Sequence, residues 1–109
     1  MKLEKIDDTN FEDFLSSPLA FLMIGKEGCG PCMEWTAELE KSGDVFPLVR
    51  FGKITLGEGI LTNFKRVHGT WLSHMREMPY NSLWTEGKMV KEWPGGGMDR
   101  LISRLNNLQ

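Results

Sequence analysis

The sequence has few residues that bind transition metals. Its 109 residues include two cysteines and two histidines. Cys29 and Cys32 would supply two ligands, whereas a structural zinc site needs four. The other candidates, His68 and His74, are spaced so that they do not share one face of a helix. We therefore expect no metal site within the chain, and a metal shared between two chains is the alternative left open.

The sequence also lacks an excess of basic residues and any long apolar run. It has 13 basic and 15 acidic residues and a net charge of −2, which argues against binding to the phosphates of nucleic acids. No apolar run approaches the ~18 residues of a membrane-spanning helix, and the charged N-terminal stretch has no signal-peptide core. We expect a cytoplasmic monomer that binds neither nucleic acid nor membrane.

The pattern of apolar residues and turn residues predicts one α/β domain over residues 1–109. Strands are predicted at 2–6, 19–24, 80–85 and 88–93. A further strand is predicted at 46–51, inside a longer strand-like run at 45–56. Helices are predicted at 9–16, from the cysteine pair to 42, at 60–75, and after the glycines at 95–97. The resulting order, βαβαβαββα, is typical of a central mixed β-sheet flanked by helices.

Local signals give the expected boundaries of these elements. Thr9 and Glu12 have the spacing of a capping box, and Gly43 is a predicted helix stop. Pro47 is expected at the start of the second strand-like run, and a turn is expected at 86–87. The 60–75 helix has a periodic apolar stripe made of Ile60, Leu61, Phe64, Val67, His68, Trp71, Leu72 and Met75.

The two cysteines lie close together, directly after the apolar strand at 19–24 and at the start of a helix. Three roles compete for such a pair: a structural crosslink, half of a metal site, or a reversible redox pair. Free amides at a helix N terminus favour the thiolate, which is the nucleophile of disulfide exchange. Gly30 gives the loop freedom, and Pro31 lacks an amide that would have no helical partner.

Dithiol exchange fits this arrangement. Cys29, at the mouth of the loop, would attack a substrate disulfide, and the more buried Cys32 would then attack Cys29 and release the reduced substrate. The short loop makes the second attack intramolecular and therefore fast.

Cys29-Gly-Pro-Cys32 after a buried strand resembles the active-site motif of the thioredoxin family, and the element order is similar along the whole chain. The resemblance implies a thioredoxin fold and a thiol–disulfide oxidoreductase that needs no bound cofactor. It also implies two kinds of partner: proteins with disulfides as substrates, and a thioredoxin reductase or equivalent electron donor.

The resemblance extends to the loops expected around the cysteines. The segment at 77–80 resembles the cis-proline loop of the family, which implies that Pro79 is cis and that Met78 offers its backbone to an extended substrate. Arg76 matches a basic residue that is common before this loop. Gly95 belongs to the small-residue loop that forms a third edge of the family's substrate groove.

The chain departs from the family pattern at several positions near the site. Gly28 stands where a tryptophan is typical, and Met23 stands where the family has a buried acid. Lys53 matches a lysine of the family, but here it would have no acid at position 23 and is expected to reach solvent or pair elsewhere. Glu27 is then a candidate for proton transfer, and the 55–78 segment is longer than usual.

Two other functions remain open at this stage. The fold could serve as a docking or accessory subunit of a larger enzyme, or the pair could work in a glutathione-linked, glutaredoxin-like role. Met78 is assigned to the substrate groove. The other large residues near the site are assigned to the core: Met23, Met33, Met75 and Met89, with Trp35, Trp71, Trp84 and Trp93.

Overall fold

The computed structural model describes residues 2–42 and 44–108. Its elements follow the predicted order βαβαβαββα. The strands are β1 (Glu4–Lys5), β2 (Ala20–Lys26), β3 (Arg50–Leu56), β4 (Tyr80–Thr85) and β5 (Lys88–Pro94). The helices are α1 (Phe11–Leu15), α2 (Gly30–Lys41), α3 (Thr62–Leu72) and α4 (Met98–Asn106).

The five strands form one mixed sheet in the order β1-β3-β2-β4-β5. β2 lies near the centre, parallel to β3 and antiparallel to β4. It is buried along residues 20–25, as expected for an uninterrupted apolar run. The hairpin of β4 and β5 turns at Glu86 and Gly87, which both have positive φ angles.

The helices cover both faces of the sheet, so the protein has an α/β/α sandwich. On one face, Phe11 and Phe14 of α1 and Phe64 of α3 belong to a buried cluster. On the other face, Trp35 of α2 and Leu101 of α4 belong to a second cluster, which also contains both cysteines. The catalytic candidates therefore lie on the α2–α4 side.

Several predicted boundaries are wrong. The capping box does not form: α1 begins at Phe11 after Asn10, and the Thr9 hydroxyl donates instead to the carboxylate of Asp7. The strand predicted at 46–51 begins only at Arg50, because the chain turns near Pro47. The stop predicted at Gly43 lies outside the described residues.

The stripe of the third helix is shorter than its periodicity suggests. Ile60 precedes α3 and is 71 % exposed, and Val67 is 50 % exposed. Phe64 is buried, and His68 and Trp71 pack beside it. The N terminus of α3 is capped by a residue far away in sequence. The Asp8 carboxylate accepts hydrogen bonds from the backbone amides of Asn63 (2.8 Å) and Phe64 (2.9 Å).

Candidate active site

The two cysteines form a disulfide at the N terminus of α2, immediately beyond the end of β2. Cys29 is the N-cap residue, and its sulfur accepts a hydrogen bond from the backbone amide of Cys32 at 3.2 Å. Pro31 lies in the first turn of α2, and Gly28 has a φ of +77°, where a side chain would be strained. The sulfur that is first in sequence therefore faces the amide end of the helix, where negative charge is favoured.

The two cysteine residues differ in accessibility, and Cys32 is the more buried. Cys29 is 9 % exposed and Cys32 is 1 % exposed. Cys29 is thus less open than its place at the mouth of the loop suggested, although it is the cysteine that borders the surface groove described next. Cys32 packs inward against Gly25 at the end of β2.

A surface groove of about 450 Å³ runs past Cys29. One wall is the loop that includes Gly28, Gly30 and Pro31. The opposite wall is formed by Leu72, Met75, Arg76, Glu77 and Met78, with Lys26 at the end of β2. Apolar and charged side chains therefore both line the groove that contains Cys29.

The loops at Pro79 and Gly95 are joined to each other next to this groove. The Met78–Pro79 peptide bond is cis. The Gly95 amide donates to the Pro79 carbonyl oxygen at 2.8 Å. Gly95 has a φ of +87°, which L side chains rarely adopt. The cis-proline loop and the Gly95 loop are therefore hydrogen-bonded to each other, and Met78 of the former lines the groove.

The interior beneath the disulfide is largely apolar. Met23 is fully buried in the same cluster as both cysteines. Lys53 is the residue of β3 that pairs with Met23. It is half-buried and lines a surface pocket with Thr36 of α2. Glu27 is exposed at the end of β2. Among the described residues, the buried polar side chains are Ser17, Asn81 and Ser82, and none of these is a carboxylate.

Asn81 is a site residue that the sequence analysis missed. It is fully buried on β4, beside Met23, and its side chain bonds to Trp35 of α2 and to the backbone of Trp93 and Gly95. The available signal was an asparagine inside the strand predicted at 80–85, two residues after the proline of the cis-proline loop. A polar side chain in such a place requires hydrogen-bond partners.

The remaining conspicuous residues are mostly structural. His68 accepts a hydrogen bond from the Trp71 indole at 3.0 Å, and burial lowers its pKa from the ordinary value of 6.5. Trp35, Trp84 and Trp93 are buried and Trp71 is half-buried, which agrees with their assignment to the core. In the described part of the chain, no three His, Cys, Asp or Glu side chains form a cluster suited to a metal ion, and no helix is long and apolar enough to cross a membrane.

The assignment of Met33 to the core is wrong. This side chain is 65 % exposed, because it lies on the outer face of α2, one position beyond Cys32. Met75, Met78 and Met89 are partly buried against the cluster beneath α1 and α3. Of these, Met75 and Met78 line the groove beside Cys29.

Comparison with known proteins supports the assignment of the fold. Neither a protein-family model nor a curated protein sequence matches the chain. Thioredoxin f2 of Chlamydomonas reinhardtii is similar in structure, with a TM-score of 0.79 and 25 % identity, covering 99 % of this chain and 97 % of that one. A thioredoxin of Trypanosoma brucei brucei has a TM-score of 0.77 and 19 % identity, covering 98 % and 90 %.

A further similar structure is a complex of ferredoxin:thioredoxin reductase with thioredoxin f2, where the TM-score is 0.77 and the identity 16 %, with 96 % and 93 % of the two chains covered. These likenesses extend over nearly the whole chain and agree with its five-stranded mixed sheet and four helices. Together with the Cys29–Cys32 pair at the start of α2, they show that this chain has a thioredoxin-like fold.

Proposed function

We propose that this protein is a thioredoxin-type thiol–disulfide oxidoreductase that reduces disulfides in other proteins. The observation that carries the proposal is the Cys29–Cys32 disulfide at the N terminus of α2, with its first sulfur beside an open groove. A purely structural crosslink explains the pair less well. The loop that this disulfide closes is too short to restrict the unfolded chain strongly, so the bond would add little stability.

The reaction begins with the reduced protein. The Cys29 thiolate attacks one sulfur of the substrate disulfide, a mixed disulfide forms, and the other substrate sulfur leaves as a thiolate that takes up a proton. Cys32 then loses its proton and attacks the Cys29 sulfur. The second substrate thiol is released, and the Cys29–Cys32 disulfide remains. Two electrons pass from this protein to the substrate in each cycle.

The surroundings of Cys32 make its deprotonation the demanding step. Cys32 is 1 % exposed and shares an apolar cluster with Met23, whose thioether cannot take a proton. An apolar wall disfavours the thiolate. Water entering along the groove or the exposed Glu27 would then receive the proton, so reduction should be slow near neutral pH and faster as the pH rises.

A reductase partner would regenerate the dithiol by returning two electrons and two protons. A similar structure holds a thioredoxin f2 together with ferredoxin:thioredoxin reductase, which supports a partner of this general class. Either a flavin-dependent thioredoxin reductase or another protein electron donor would serve. Glutathione as the donor would indicate the glutaredoxin-like alternative, so comparing the two donors separates these roles.

Turnover of insulin disulfides tests the proposal. The protein should reduce insulin with dithiothreitol as the electron source, and Cys29→Ser should abolish this reduction. Cys32→Ser should accumulate mixed disulfides with substrate proteins, whereas Cys29→Ser should accumulate none. A parent protein without turnover, or a Cys29→Ser variant that retains it, would leave the docking-subunit alternative as the better explanation.

A further inference from the structure

We infer that Asn81 is a positioning residue that joins the helix of the cysteine pair to the Gly95 loop, which is hydrogen-bonded to the cis-proline loop. The inference rests on the proposed function, since it assigns Asn81 a role in binding protein substrates. Asn81 is not among the residues that line the groove. It would act through the two segments that its side chain holds.

The hydrogen bonds of Asn81 point in two directions. Its Oδ1 accepts from the Trp35 indole nitrogen at 2.8 Å, and Trp35 lies one turn beyond Cys32 in α2. Its Nδ2 donates to the carbonyl oxygens of Trp93 at 3.1 Å and Gly95 at 2.6 Å. Both protons of the side-chain amide are therefore donated to carbonyl oxygens at the end of β5 and in the loop that follows it.

Packing supports the same connection. Trp35 is 1 % exposed and lies against Gly96, where an added Cβ would stand 3.1 Å from the Cγ of the indole ring. The Gly95 amide in turn donates to the Pro79 carbonyl oxygen. One buried amide thus links α2 to the Gly95 loop, and that loop is bonded to the cis-proline loop.

Burial makes this link costly to break. Asn81 is fully buried. Replacing it by an apolar residue would remove the hydrogen-bond partner of the Gly95 and Trp93 carbonyls and of the Trp35 N–H. The Gly95 loop would then be free to shift relative to α2. A protein substrate that contacts several edges of the groove should lose more from such a shift than a small disulfide that contacts only Cys29.

The test compares Asn81→Leu with Ser82→Ala. Ser82 is the next residue of β4, is equally buried, and accepts a hydrogen bond from Trp84 on the other face of the sheet. Asn81→Leu should raise the KM for insulin by a factor that is roughly fivefold or more larger than the factor for a small aromatic disulfide. Ser82→Ala should change both substrates to the same extent. An equal change with both substrates in Asn81→Leu would overturn the inference.

Asn81→Asp provides a second variant of nearly the same shape. An ionised carboxylate still accepts from Trp35 but cannot donate to Gly95, whereas the protonated acid keeps one donor. Because burial favours the neutral acid, the KM for insulin, relative to the parent, should rise between about pH 6 and pH 8. A ratio close to one over this range would contradict the inference.

Hydrogen exchange separates this inference from the proposed function. If the parent reduces no disulfide at all, the proposed function fails, but the Gly95 amide still reports on the loop. Its exchange should be faster in Asn81→Leu than in Ser82→Ala when the two are compared at equal global stability. Equal exchange rates in the two variants would show that Asn81 does not hold the Gly95 loop.

Discussion

Gly25 lies directly against Cys32. A Cβ atom added at Gly25 would stand 3.0 Å from the Cβ of Cys32 and 3.2 Å from its sulfur. Gly25 is the sixth residue of β2 and is buried, so neither the strand nor the helix can move away freely. The absence of a side chain at this position allows the buried cysteine to pack at the end of the central strand.

Gly25→Ala should therefore destabilise the oxidised protein by about 1–3 kcal/mol, the usual cost of overpacking. The reduced protein should suffer somewhat less, because the unbonded Cys32 sulfur can rotate away from the new methyl group, whereas the contact between the two Cβ atoms is the same in both states. The equilibrium with a glutathione buffer should shift towards the dithiol. Gly69→Ala is the control, since an added Cβ there meets no atom within 4 Å. An unchanged redox equilibrium in Gly25→Ala would contradict this explanation.

Alkylation should distinguish the two thiols of the reduced protein. Cys29 borders the groove and faces the helix amides, whereas Cys32 is almost fully buried. Iodoacetamide near neutral pH should modify Cys29 well before Cys32, as followed by mass spectrometry of peptides. The single variants Cys29→Ser and Cys32→Ser give the reactivity of each thiol alone. Faster labelling of Cys32 would reverse the roles assigned to the two residues.

Met23→Asp should lower the stability of the protein and speed the attack of Cys32 on the mixed disulfide at Cys29. Burial raises the pKa of an added carboxyl above its value in the unfolded chain, so the variant should lose stability as the pH rises and the acid is forced to ionise. The same carboxylate should accept the proton of Cys32 and speed release of the mixed disulfide near neutral pH. Stopped-flow kinetics and thermal unfolding over a pH series measure the two effects.

The matched control at this position is Met23→Leu, a volume-conserving change that should cost less than about 1.5 kcal/mol and leave the pH–rate profile unchanged. If Met23→Asp has the same pH–rate profile as Met23→Leu, the apolar wall beneath Cys32 does not limit the reaction.

The Asp8 cap should contribute measurably to stability. Asp8→Ala removes the acceptor for the amides of Asn63 and Phe64, and loss of an N-terminal cap typically costs about 1 kcal/mol. Asp8→Asn keeps one acceptor oxygen and should cost less. Urea unfolding measures both values. Equal stability of Asp8→Ala and the parent would show that solvent replaces the cap without loss.

His68 should make the protein less stable in mild acid. Burial lowers its pKa in the folded state, so the unfolded chain binds a proton more readily, and stability should fall as the pH drops below about 6.5. Protonation would also remove the acceptor of the Trp71 N–H. His68→Phe should flatten the dependence of the urea midpoint between about pH 5 and pH 7. An unchanged dependence of the urea midpoint in His68→Phe would contradict this explanation.

Short-range patterns in the sequence were sufficient for the order and type of the elements. The apolar run of β2, the turn at 86–87 and the glycines at 95–97 each give a signal within a few residues, and the structure has elements of the predicted kind there. The CGPC motif also lies at the predicted junction of strand and helix. The boundary errors at Thr9 and Pro47 arose from local alternatives, because the Thr9 hydroxyl donates to Asp7 and the chain turns near Pro47.

The tertiary structure decided which polar groups meet. Asp8 and Phe64 are 56 positions apart, and Trp35 and Asn81 are 46 apart, so no local pattern announces either hydrogen bond. The sequence by itself determined the close pair of cysteines, the fold class and the apolar residue at position 23. The cap of α3, the connection from α2 to the Gly95 loop and the close fit of Gly25 to Cys32 emerge only when the sheet brings these segments together. Burial of Asn81 also removes the alternative of bonding to water, so its side chain needs hydrogen-bond partners within the protein.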